Sequence, residues 1–89
     1  MAPRTEPQPA LGKAIKQTRE ARGLSQEELG LQAGIHPTWI SHIESGRNNP
    51  AWGSVRRLAA ALGLKVSELA ASAEELEDSE RANTPGRRS

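Results

Sequence analysis

The sequence predicts an all-α fold: a compact domain of five short helices. Apolar residues recur at helical spacing in five successive segments. Gly23, Gly34, Gly46 and Gly63 close four of those segments, where a helix stops readily. No alternating run marks a strand, and no internal repeat is visible.

A chain of 89 residues makes one small domain with a modest core. There is no cysteine, so neither a disulfide nor a cysteine-based zinc site can staple it. His36 and His42 fall on different faces of one segment, so neither a metal site nor a cofactor is expected. With no Phe or Tyr and only Trp39 and Trp52, the core must be mostly Leu, Ile, Val and Ala. The N-terminus is polar and proline-rich, and no apolar run is long enough to span a membrane. The expected compartment is the cytoplasm. The net charge of +1 conceals an uneven distribution. Residues 11–70 carry +3, whereas residues 71–89 carry −2. A mildly basic body is compatible with DNA without requiring it.

Residues 1–10, with Pro3, Pro7 and Pro9, read as a disordered arm. Leu11 to Arg22 forms the first helix, with Leu11, Ile15 and Thr18 at helical spacing and Arg19 one turn beyond Ile15. Ser25 and Glu28 make a capping box for the second helix, bracketed by Leu24 and Leu29. That helix runs to Ala33, and a tight turn through Gly34 leads to the third, a helix-turn-helix. Arg47-Asn48-Asn49-Pro50 is a polar, basic loop. The fourth helix, Ala51 to Leu62, should turn Trp52, Val55, Leu58, Ala59 and Leu62 inward, with Arg56 and Arg57 elsewhere. The fifth begins with Leu64, Val66 and Leu69, and its pattern can continue through Ala73 and Leu76. The acidic run 74–78 suits a solvated helix or a frayed tail, and residues 83–89 read as disordered. The domain proper is therefore expected at 11–71, with 72–89 an acidic extension and tail.

The third helix is the candidate functional element. Pro37 fits its first turn, where a missing N–H costs nothing. At about 100° per residue, Ile43 and Glu44 fall within about 60° of Ile40 on one face. Thr38 and His42 lie opposite, with Ser41 and Ser45 beside them. The outer face thus carries small hydrogen-bonding groups and no acid. Two readings stand at this point: a helix that reads base edges in the major groove, or an amphipathic helix with a solvated face.

Taken together, these positions resemble the Cro/cI-type (XRE-like) helix-turn-helix family. The resemblance rests on Leu11-Gly12, Ile15 and Arg19, on Gly23-Leu24-Ser25-Gln26-Glu27-Glu28-Leu29, and on Ala33-Gly34-Ile35. It continues through Ile40-Ser41, Ile43-Glu44, Gly46-Arg47, Asn49-Pro50, Leu58-Ala59, Ala61-Leu62-Gly63-Leu64 and Ser67-Glu68-Leu69. It implies a lambda-repressor-like five-helix domain that binds double-stranded operator DNA, usually as a homodimer. Gln26 matches a position that clamps a phosphate and supports the base-reading side chains. Pro37, Thr38, Ser41 and His42 match positions that meet base edges or flanking phosphates. Trp39, on the helix flank, caps the core or donates its indole N–H to a phosphate, and the two roles can coexist. Arg47, Asn48 and Asn49 match the loop that contacts the DNA backbone, against the alternative of a solvated basic loop. Arg19 and Glu44 match a largely buried structural salt bridge.

The chain departs from the family at His36, Ala51 and Lys65, which replace usual capping residues. Asn49 is a candidate substitute cap for the fourth helix, and Pro37 removes one possible side-chain reader. The leading expectation is a transcriptional regulator, a repressor acting by operator occupancy, with the fifth helix (Leu69, Ala73, Leu76) as the dimer surface, against the alternative that Leu69 completes the core and Leu76 is merely exposed. The alternative is a protein-interaction module, an antitoxin or adaptor, that takes a protein partner through the acidic extension. Enzymatic function is not expected, since there is no cysteine nucleophile, no phosphate-binding glycine loop and no Ser/His/acid constellation with a plausible pocket.

Overall fold

The computed structural model describes residues 8–83. They form α1 (Pro9–Ala21), α2 (Gln26–Ala33), α3 (Pro37–Glu44), α4 (Trp52–Ala61) and α5 (Val66–Asn83). Among the described residues there is no strand. No described helix is long and apolar enough to cross a membrane.

Each helix contributes an apolar stripe to one core. Ile15 of α1, Leu29 of α2, Ile40 and Ile43 of α3, Leu58 of α4 and Leu69 of α5 meet there, together with Leu62 just past α4. All seven are essentially inaccessible to water, and each contributes about 1.5–3 kcal/mol of transfer free energy. Packing is close enough to specify small residues. A Cβ at Gly12 would collide with the carbonyl oxygen of Ile43, and one at Gly30 with that of Ile35. These glycines allow α1 to approach the end of α3, and α2 to approach the turn that leads into α3. Together they set how far α3 stands out from the domain.

The ends of the helices follow from local chemistry. At α2 the Ser25 Oγ accepts from the Glu28 N–H at 2.9 Å, and Glu28 Oε1 accepts from the Ser25 N–H at 2.8 Å. Gly34 closes α2 in the left-handed conformation (φ 73°), which a side chain would resist. His36 does cap α3: its Nδ1 accepts from the Thr38 N–H at 3.1 Å. An imidazole Nδ1 stands as many bonds from the backbone as the side-chain oxygen of asparagine, so it reaches the same N–H. Lys65 is compensated too, since its N–H donates to Glu68 Oε1 at 2.8 Å. Asn49, by contrast, does not cap α4, whose N-cap is Ala51 with no side-chain cap. Its Oδ1 instead accepts from the Gln8 N–H at 3.0 Å, tying the loop after α3 to the start of α1.

The boundaries at both ends differ from those expected. Pro9 and Ala10 belong to α1, not to a loose arm: proline is accommodated in the first turn, and Ala10 is buried. At the other end α5 continues to Asn83 and packs along α1. Ala73 and Leu76 extend the stripe of Leu69, and Lys13 pairs with Glu80. The acidic extension is therefore part of the folded domain as far as Asn83. The loose residues expected at 1–7 and 84–89 lie outside the described residues.

One apolar expectation is corrected. Trp52 follows the inward spacing of α4 but is 65% exposed. Periodicity assigns a face, not a depth, and the first turn of α4 stands at the core margin. Of the two readings of Leu69, the structure supports the core: its side chain is fully buried there.

Candidate nucleic-acid interface

The site is built outward from a buried charge. Glu44 ends α3 with its side chain only 3% exposed, and its carboxylate meets the Arg19 guanidinium in a two-pronged contact. Arg19 Nε donates to Oε2 at 2.7 Å and Nη2 donates to Oε1 at 3.1 Å. The Nη1 of Arg19 donates to the Leu24 carbonyl at 2.8 Å, which anchors the turn between α1 and α2. Glu44 Oε1 also accepts from Gln26 Nε2 at 3.0 Å. One carboxylate thus links α1, α2 and α3 through charge-assisted bonds. No buried side-chain polar atom among the described residues lacks a partner. The hydrogen bond to Glu44 raises the Arg19 pKa above its ordinary value, burial opposes the shift, and the charges of Glu44 and Glu20 add to the rise.

This network fixes Gln26 at the start of α2. Its amide nitrogen carries two hydrogens, and Glu44 uses one of them. The other is available to a ligand beside α3.

On α3 itself, Thr38 is exposed and His42 half-buried one turn later, on the face opposite Ile40 and Ile43. Ser41 is half-buried and lines a polar cleft with Gln26, Lys16, Ser45 and Glu44. The Ser45 hydroxyl turns back onto the His42 carbonyl at 3.1 Å. Trp39 is 43% exposed, and its ring meets that of His42 edge-on, the centroids 6.1 Å apart. Pro37 lies apart from the others, in a shallow cleft with Leu31, Gly30 and Ile35. The loop beyond α3 turns tightly: the Arg47 and Asn48 N–H groups donate to the His42 carbonyl at 2.9 and 3.3 Å. The Arg47 side chain is exposed, while Asn48 and Asn49 are half-buried. Thr38, Ser41 and His42 therefore lie on the outward side of α3, with Gln26 beside Ser41 in the cleft and the Arg47 backbone bonded to the His42 carbonyl.

A family model described as "Helix-turn-helix domain" matches residues 10–72. The chain belongs to this helix-turn-helix family, of the Cro/cI type. It is 34% identical over 65 residues to an uncharacterized HTH-type transcriptional regulator of Sinorhizobium fredii, covering 73% of this chain and 84% of that one. Among solved structures, the clp gene regulator ClgR of Corynebacterium glutamicum superposes with a TM-score of 0.82 at 26% identity, covering 86% of this chain and 84% of that one. The master regulator for biofilm formation SinR, solved in complex with DNA, superposes with a TM-score of 0.64 at 33% identity. That match covers 67% of this chain and 97% of the SinR chain. The match to ClgR extends beyond residues 10–72, in keeping with a fifth helix that is continuous with the domain.

Reading the residues alone missed two features of the site. The His36 cap was hidden because imidazole is seldom considered beside Ser, Thr, Asn and Asp in that role. The cleft that joins Lys16 to Gln26 and Ser41 was hidden because it depends on the crossing of three helices.

The buried pair makes a direct prediction. Arg19→Met and Glu44→Leu should each destabilise the domain by about 3–5 kcal/mol, because each leaves a buried charge unpaired. The double variant should recover most of that loss. Urea denaturation of the four proteins checks it, and strictly additive losses would refute the coupling.

Proposed function

We propose that this chain is a sequence-specific double-stranded DNA-binding transcriptional regulator that acts by operator occupancy, with α3 in the major groove. The observation that carries the reading is the outward surface of α3: Thr38, Ser41 and His42 offer hydrogen-bonding groups and no acid, on a helix that the Arg19–Glu44–Gln26 network ties to α1 and α2. Thr38 and His42 read base edges, and Ser41 reaches a base or a flanking phosphate. Pro37 at the entering end makes apolar contact, for which a thymine methyl is the fitting partner. Gln26, Trp39, Arg47, Asn48 and Asn49 contact phosphates, with Asn48 and Asn49 better suited to do so through reorientation of a half-buried loop. Membership of the helix-turn-helix family, and the likeness to SinR in complex with DNA, support this reading. Neither catalysis nor a cofactor has a part in it, and the compartment is the cytoplasm.

A second copy of the chain completes the regulator. Trp52 borders an apolar cleft of about 340 Å³ whose lining includes Leu11, Val55, Val66 and Ala73, with Glu74 and Glu77 at its rim. Arg56 and Arg57 are exposed farther along α4. A two-fold axis that seats the indole of each copy in the other's cleft also brings α4 arginines towards α5 acids, in both directions at once. Two α3 helices then address half-sites about one helical turn apart. The alternative, a protein-interaction module with a partner on the acidic extension, is less well supported. That extension is packed along α1 and pairs Glu80 with Lys13.

Selection from a randomised DNA pool tests the reading. Wild type should enrich one two-fold symmetric site, and Thr38→Ala/His42→Ala should lose the preference, about 1–3 kcal/mol of discrimination for each well-made base contact. Failure of wild type to bind any DNA at low salt would overturn it. For the dimer, Trp52→Glu should sediment as a monomer at concentrations where wild type is dimeric, with α-helical content unchanged. Equal sedimentation of the two would refute the Trp52 cleft as the interface.

A further inference from the structure

The cleft of about 160 Å³ between α1, α2 and α3 brings together Lys16, Gln26, Ser41, Glu44 and Ser45. We propose that it is a phosphodiester-binding site centred on Lys16, which anchors one DNA strand at the edge of the groove that α3 enters. This inference rests on the DNA-binding reading and adds a cationic residue to it.

The charges around the cleft leave Lys16 with no structural employment. Both oxygens of Glu44 are occupied, Oε2 by Arg19 Nε and Oε1 by Arg19 Nη2 and Gln26 Nε2. The commonplace role for Lys16 would be an ion pair with Glu20, four residues on along α1. Glu20 instead leans towards Arg19, its Oε2 3.9 Å from Nη2. Lys13, one turn earlier, differs: it is paired with Glu80 on the side of α1 that meets α5. Lys16 is thus an exposed cation with no partner among the described residues, on the side of α1 that faces α3.

Three donors converge there from three helices. Lys16 supplies an ammonium from α1, Gln26 its second amide hydrogen from α2, and Ser41 a hydroxyl from α3. Ser45 is a poorer donor, because its hydroxyl already serves the His42 carbonyl. The one anionic group in the cleft, Glu44, is buried and neutralised by Arg19, so it does not repel a phosphate as a free carboxylate would. A mobile cation, an amide and a hydroxyl suit a singly charged, tetrahedral oxygen cluster, which carries no sequence information.

The test is the salt dependence of binding to the selected site and to random DNA for wild type, Lys16→Gln, Lys16→Arg and Lys13→Gln. Lys16→Gln should weaken both kinds of binding by the same factor and lower the slope of log K against log salt by about 1. Lys16→Arg should retain the slope, and Lys13→Gln should match wild type. An unchanged slope in Lys16→Gln would overturn the phosphate site while leaving the regulator reading intact. A loss confined to the selected site would overturn it as well, by making Lys16 a base reader. Absence of DNA binding in wild type would instead bring down the regulator reading, and this inference with it.

Discussion

The carboxylate of Glu44 is where the fold and the proposed function meet. It is buried at the end of the helix that carries the proposed reading surface, and it would be costly there without the guanidinium of Arg19. Because Arg19 also holds the Leu24 carbonyl, and Glu44 also holds Gln26, one ion pair relates α1, the α1–α2 turn, α2 and α3. An apolar core of Ile and Leu fixes how tightly helices pack, yet it tolerates small slides between them. Directional bonds to a charge do not. The pair is therefore placed to register α3 and Gln26 as well as to stabilise them. Arginine remains charged throughout the ordinary pH range, and its raised pKa adds stability that is lost only as pH climbs above that ordinary value.

Around that centre the surface is divided by task. The face with α3, Lys16 and Arg47 offers donors and cations, while the α5 face beyond Leu69 is acidic. The near-zero net charge of the chain hides this division. Exposed Trp52, at the start of α4, borders the cleft that Glu74 and Glu77 of α5 also line.

Much of the fold was legible because its determinants are local. The Ser25–Glu28 capping box and Gly34 delimit α2 by themselves, and a 3.6-residue period puts Ile40, Ile43 and Glu44 on one side of α3. Other features depend on what a residue meets across space. Trp52 has the spacing of a core residue but stands where no further layer covers it. Asn49 has the chemistry of a cap, yet its Oδ1 accepts from the N–H of Gln8, far away in sequence. The acidic stretch of α5 has the composition of a solvated tail, but Ala73 and Leu76 continue the stripe that lays it on α1. Of the candidate site, the face of α3 could be read from its wheel. The Lys16 cleft could not, since it exists only where three helices cross.

The central claim is that the Arg19–Glu44 pair orients the reading surface through Gln26, and does more than hold the domain together. It is tested most directly by measuring sequence discrimination in the folded double variant Arg19→Met/Glu44→Leu, as the ratio of affinities for the selected site and for random DNA. The account predicts that binding to random DNA survives while the ratio falls at least tenfold. A double variant that is folded and discriminates as well as wild type would contradict it.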